Sequence, residues 1–143
     1  MEEVVKYSGC FVCGDCNPNG LNARFFYDGA EVTTEVVADK RFEGYSGICH
    51  GGITASLLDE VMVKAVLAQG IFSTTAEMTV RYHRPVRVGE RILCRGRVTQ
   101  QKGRAYFTEA TAVNGDGQPR ASATGKYIEA RDEFRDELMK QSE

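Results

Sequence analysis

Alternation with a period of two runs through much of this chain. In residues 74–84, Ala76, Met78, Val80 and Tyr82 share one face while Glu77, Thr79, Arg81 and His83 share the other, as in a strand with one buried side. In 90–101, Ile92, Cys94, Gly96 and Val98 alternate with Arg91, Leu93, Arg95 and Arg97. The last such run alternates Ala121, Ala123, Gly125 and Tyr127 with Arg120, Ser122, Thr124 and Lys126. Turn signals punctuate these runs: Asp28-Gly29 between 21–27 and 30–38, Pro85 to Gly89, Lys102-Gly103, and Asn114-Gly115-Asp116-Gly117. Antiparallel hairpins are expected at the glycine turns. Two of the inferred inner faces carry small residues, which lets something bulky approach the sheet.

The stretch 52–69 supplies that bulk. Its apolar residues Ile53, Ala55, Leu57, Leu58, Val61, Met62, Val63, Ala65, Val66 and Leu67 occur on every side of a helix, the pattern of a buried one, and Gly70 stops it. A second, charged amphipathic helix spans roughly 132–140, or forms a frayed tail. One helix cannot cover both faces of a five- or six-stranded sheet. The economical arrangement is an α+β fold, with the sheet curled around the helix and its outer face either covered by something else or polar.

At 143 residues the chain is expected to be one domain, with a Cys-rich start (1–20) and a charged end (131–143). Net charge is −2 and the charges are scattered, which argues against a nucleic-acid partner. No secretory pattern opens the sequence and no apolar run nears the ~20 residues of a membrane span, so a cytoplasmic protein is expected. Five cysteines, an odd number, argue for thiols or a metal over a disulfide framework. Cys10, Cys13 and Cys16 give three ligands where structural zinc takes four, and Gly20 stands where a ferredoxin pattern needs its fourth cysteine. No metal is therefore expected, unless Cys49 or Cys94 completes the set in space. Cys49, beside a helix start, is a candidate for a lowered thiol pKa, with no base nearby.

Candidate chemistry concentrates on the helix. Asp59 and Glu60 are the acids within it, and a carboxylate in a dry site needs a reason. Lys64, four residues on, accounts for Glu60. Asp59 has no cation at helical spacing, so a raised pKa and a catalytic role are expected of it. The plain alternative is an acid held by neighbouring backbone or hydroxyl groups. His50-Gly51-Gly52 opens the helix with uncovered amides, suited to a developing oxyanion such as that of a thioester. His50 and Asp59, nine residues apart, are separated by about 13.5 Å and about 180° of rotation. They cannot share one small site within a chain, so the site is expected to form between subunits.

These residues resemble the hot-dog-fold acyl-CoA thioesterases, the superfamily of the 4-hydroxybenzoyl-CoA and phenylacetyl-CoA enzymes. The motif is His50-Gly51-Gly52, six residues, then Asp59, with Leu57 and Leu58 before the acid. Tyr82-His83-Arg84-Pro85 followed by Gly89 is similar to the family's third strand. Cys10-x-x-Cys13-Gly14 with Asn17-Pro18-x-Gly20-Leu21 is similar to the start of one subgroup, in which Cys16 has no counterpart. The resemblance implies acyl-CoA hydrolysis with Gly51 N–H as oxyanion donor and Asp59 of a partner subunit as general base or nucleophile. It implies that His50 orients the turn or the carbonyl, that Thr75 positions the attacking water, and that Gly52, Tyr82, His83 and Arg84 lie on the substrate side. No cofactor is implied beyond the CoA of the substrate, and the expected assembly is a homodimer or a homotetramer built from dimers. Where many relatives place Asn or Gln before the His-Gly-Gly, this chain has Glu43, Gly44, Tyr45 and Ser46.

Three other readings remain. A non-catalytic acyl-CoA binder would use the helix start and need no acid at Asp59. A hydratase or dehydratase would need a Pro-rich turn that is missing. An interaction module stapled by metal would use the cysteines. For His83 and Arg84 the resemblance implies contact with a CoA phosphate, and the plain alternative is that they are solvated, as charged outward strand positions usually are.

Overall fold

The computed structural model describes residues 1–142. Seven strands form one antiparallel sheet: β1 (Glu2–Glu3), β2 (Phe26–Tyr27), β3 (Val32–Val37), β4 (Ser73–Tyr82), β5 (Arg91–Lys102), β6 (Ala105–Asn114) and β7 (Pro119–Glu129). Their spatial order is β1-β2-β3-β5-β6-β7-β4. The strand count exceeds the expected five or six because β1 and β2 are short additions at one edge.

Hairpins form at all three glycine turns, joining β2 to β3, β5 to β6 and β6 to β7. The segment 21–25 is not strand, although the Asp28-Gly29 turn after it suggested one. Its backbone is satisfied irregularly instead, with Leu21 N–H donating to Phe11 O, Ala23 N–H to Val12 O, and Val4 N–H to Phe25 O. Between β4 and β5 the chain does more than turn at Pro85: β4 pairs only with β7, at the sheet's other edge, while β5 lies between β3 and β6.

Helix α1 (Gly51–Leu67) lies across the concave face of the sheet, closest to β5 and β6. Small residues make room for it. A Cβ at Gly96 would lie 2.8 Å from the Val61 carbonyl oxygen, and one at Gly125 would lie 2.8 Å from the Tyr127 ring and 3.2 Å from Met62 Cε. Gly96, Ala110, Ala123 and Val80 stand in register across β5, β6, β7 and β4. Leu57, Leu58, Val61, Met62 and Val66 are buried against this floor, together with Phe25, Val32, Ile92 and Tyr127. Each large buried aliphatic side chain contributes about 1.5–3 kcal/mol.

The helix is not buried all round within one chain. Ile53, Ser56, Asp59, Glu60, Val63 and Leu67 form a half-open stripe at spacings of three and four residues. The outer sheet face is polar, laced by the ion pairs Arg91–Glu35, Arg95–Glu31 and Arg97–Glu109. The charged end forms helix α2 (Asp132–Gln141), whose Leu138 reaches a cavity beside α1. Among the described residues, no helix is long and apolar enough to cross a membrane.

Candidate active site

His50 is the N-cap of α1, and its imidazole Nδ1 accepts the Gly52 N–H at 2.8 Å. The acceptor role leaves the ring proton of neutral His50 on Nε2. The imidazole thus caps the helix start. The Gly52 amide is spent on this cap, and among the described residues the Gly51 N–H of the first turn has no hydrogen-bond partner. Gly52 instead keeps the turn open, because a Cβ there would lie 3.1 Å from His50 Nδ1. Tyr82 packs over Gly51 and donates its hydroxyl to the Gly51 carbonyl at 2.6 Å. Partial burial raises the Tyr82 phenol, keeping it a protonated donor.

These groups line a cleft of about 960 Å³ that includes Tyr45, His50, Gly51, Tyr82, His83 and Arg84. His83 Nε2 lies 3.0 Å from Ser122 Oγ, and Arg84 is exposed at the rim. The back wall holds Arg120, whose guanidinium reaches Glu90 at 2.8 Å. Hydrogen bonding to Arg120 holds the Glu90 carboxyl below its ordinary value. Neither Glu90 nor Arg120 stands out in the sequence, since the partners are 30 residues apart. The polar segment before His-Gly-Gly turns inward only in part: Glu43 accepts the Gly47 N–H at 2.9 Å, and Tyr45 is exposed on the cleft rim.

Asp59 is elsewhere, two turns along α1. Its Oδ1 accepts hydrogen bonds from Thr75 Oγ1 and from the Tyr127 hydroxyl, each at 2.8 Å. Asp59 is thus not the partnerless acid that helical spacing suggested; its partners are hydroxyls brought from the sheet. Among the described residues, Oδ2 receives no hydrogen bond. Tyr127 also donates to the Asp59 carbonyl at 3.1 Å and is itself fully buried. Burial, then the adjacent Asp59 carboxylate, raises the Tyr127 phenol, so it stays a donor.

Thr75 reaches Asp59 because of a β-bulge. The β4–β7 register pairs Thr75 with Tyr127 but Glu77 with Lys126, leaving Ala76 as the extra residue. Strict alternation from Met78 places Thr75 on the outer face with Glu77. The bulge turns it onto the helix side. Tyr127 was legible as an inner-face residue but not as a site residue, because nothing in the sequence links it to an acid 68 positions away.

Glu60, the residue after Asp59, is largely buried. Burial, followed by the neighbouring Cys10, pushes its carboxyl up to about 7, and Lys64 opposes the shift. The expected pair with Lys64 forms at 3.8 Å, but Lys64 is itself buried and also donates to the Val5 carbonyl. Cys49, for which a lowered pKa was a possibility, is buried, and burial raises its thiol. Cys49 and Cys94 do not complete the amino-terminal cysteine cluster.

Comparisons with known proteins agree with this architecture. A family model described as thioesterase superfamily matches residues 46–121. Human acyl-coenzyme A thioesterase 13 is 29% identical over 100 residues, covering 68% of this chain and 66% of the relative, so the match spans just under two thirds of that protein. A crystal structure of a thioesterase superfamily protein superposes with a TM-score of 0.77 at 28% identity, covering 85% of this chain and 60% of that one. A Streptococcus mutans protein solved bound to acetyl CoA superposes with a TM-score of 0.70 at 20% identity, covering 74% and 88%. On the wrapped helix, the His-Gly-Gly cap and a family match spanning more than half its length, the chain belongs to the thioesterase superfamily and has its hot-dog fold.

Proposed function

We propose that the protein hydrolyses an acyl-CoA thioester to the free acid and CoA, at sites shared between two copies of the chain. The observation that carries this reading is the division of one helix. A free amide opens onto a large cleft at its start, and a carboxylate steadied by two hydroxyls lies about 12 Å further along the axis. Pairing the amide of one subunit with the Asp59 of another brings both to one carbonyl. The half-open stripe of α1 and the unpaired edge of β4 are surfaces for such a partner.

In the proposed reaction the thioester oxygen lies against the Gly51 N–H, which stabilises negative charge as it develops. Asp59 takes a proton from water as the water oxygen bonds to the carbonyl carbon, or attacks that carbon directly and is then released by water. The C–S bond breaks and the CoA sulfur leaves, taking up a proton. Thr75 and Tyr127 fix Oδ1, leaving Oδ2 to act. In this reading His83 and Arg84, which line the cleft, take the CoA phosphates. Family membership and the likeness to a protein bound to acetyl CoA support the substrate class.

A panel of short, long and aromatic acyl-CoAs, assayed for thiol release, tests the reading. Asp59→Asn is expected to lower kcat by about 10²–10⁴ on any substrate found. Full turnover by Asp59→Asn on every thioester the wild type cleaves would refute the mechanism. Tight acyl-CoA binding without turnover by the wild type would replace it with a binding role.

A further inference from the structure

The amino-terminal turn and the middle of α1 meet in a cluster that hydrolysis does not use. Cys10 Sγ, Cys13 Sγ and a carboxylate oxygen of Glu60 all lie within 4.8 Å of one another. Cys10 Sγ is 3.8 Å from Glu60 Oε2. A tetrahedral metal with bonds of about 2.0–2.3 Å separates its ligands by about 3.3–3.8 Å, so small side-chain rotations bring these three atoms onto one ion.

The turn is already shaped to present two thiolates. Val12 N–H and Cys13 N–H both donate to Cys10 Sγ at 3.4 Å, and Gly14 N–H closes the loop on the Cys10 carbonyl at 2.9 Å. Gly14 has to be glycine, since a Cβ would lie 2.3 Å from the Ser8 carbonyl oxygen and 2.6 Å from Cys10 N and O. Amides aimed at a sulfur offset thiolate charge and fix its direction, as supporting contacts do around metal ligands. Charge points the same way. Two thiolates and one carboxylate beside the buried Lys64 ammonium leave two negative charges, which a divalent cation neutralises.

We propose that Cys10, Cys13 and Glu60 bind a zinc-class divalent cation. A cavity of about 630 Å³, lined by Tyr7, Cys10, Glu60, Lys64, Phe72 and Leu138, gives the ion a way in and supplies water as fourth ligand. Sequence reasoning stopped at three cysteines because the third protein ligand is a carboxylate some 50 residues away. Cys16 is exposed and outside the set. Binding displaces the two thiol protons and ties residues 10–13 to α1 immediately after Asp59.

The test uses the full chain, purified without a metal-affinity tag under reducing conditions. Elemental analysis is expected to find about one zinc per chain. Metal-free protein titrated with Co²⁺ is expected to develop a thiolate-to-cobalt charge-transfer band and the intense visible bands of a tetrahedral ion. Competition with a chelator is expected to show a loss of roughly 100-fold or more in affinity for Cys13→Ser and at least about tenfold for Glu60→Gln. Cys16→Ser is expected to bind as the wild type does. If Cys13→Ser does not fold, Glu60→Gln decides, because it leaves both thiols in place. Absence of the charge-transfer band, wild-type affinity in Glu60→Gln, an equal loss in Cys16→Ser, or a Cys10–Cys13 disulfide that persists through purification under reducing conditions overturns the proposal.

Discussion

Replacing Gly51 by proline removes one atom group from the proposed site and almost nothing else. Among the described residues the Gly51 N–H makes no hydrogen bond, being the first amide of α1. Proline is well tolerated at that helical position, since its fixed φ suits the first turn and its missing N–H was unpaired. The residue before proline must be extended, and His50 already has φ −58° and ψ 134°. An added Cβ meets the Tyr82 ring at 3.5 Å, an ordinary contact. Stability should therefore change by no more than about 0.5 kcal/mol. Loss of one oxyanion donor typically lowers kcat by about 10²–10³. Complementation then tests the shared site. Gly51→Pro and Asp59→Asn chains carry their lesions on different halves, so co-refolded in equal amounts half the dimers are mixed and each mixed dimer has one intact site. Activity should return to about one quarter of wild type. Melting curves verify folding, and thiol release from an acyl-CoA reads turnover. A folded Gly51→Pro protein within about threefold of wild-type kcat refutes the amide's role. A mixture no more active than its parents refutes the shared site.

Other expectations follow from the same contacts. Tyr127→Phe deletes the hydroxyl that holds Asp59 Oδ1 while keeping the ring's volume, so denaturant melts should show a loss of about 1–3 kcal/mol. Paired with Thr75→Val in a double-mutant cycle on kcat, it should give a coupling of about 0.5–3 kcal/mol, and strict additivity would mean the two hydroxyls act separately. Gly96→Ala forces a methyl toward the Val61 carbonyl and should cost about 1–3 kcal/mol by chemical denaturation, with no loss expected only if α1 can shift. Glu90→Gln removes a carboxylate whose pKa is lowered by Arg120, so its contribution is present above the unfolded value of about 4.3 and lost as pH falls through the folded one. The wild type should therefore lose stability on acidification in that range, and the variant should lose less; parallel acid titrations of melting temperature compare them.

Local pattern specified what local physics controls. The period-two runs around Met78, Ile92 and Ala123 could be read as strands because alternate side chains meet different solvents, and Gly29, Gly103 and Gly117 marked the hairpins because each needs a positive φ. The small residues Gly96 and Gly125 announced the close approach of a helix, and the apolar run from Gly52 to Gln69 announced which one. Even the separation of His50 from Asp59 came from helical rise alone. Contacts across the chain were beyond that reach. A single extra residue at Ala76 turned Thr75 to the helix side, where period-two reasoning put it outside. Tyr127 became a partner of Asp59 only when β7 was laid against β4, and Glu60 joined Cys10 and Cys13 only when the amino-terminal turn settled on α1. The spacing of residues along one element is set by backbone geometry and is written in the sequence. Which side chains meet from different elements depends on register, bulges and packing that the whole core decides together.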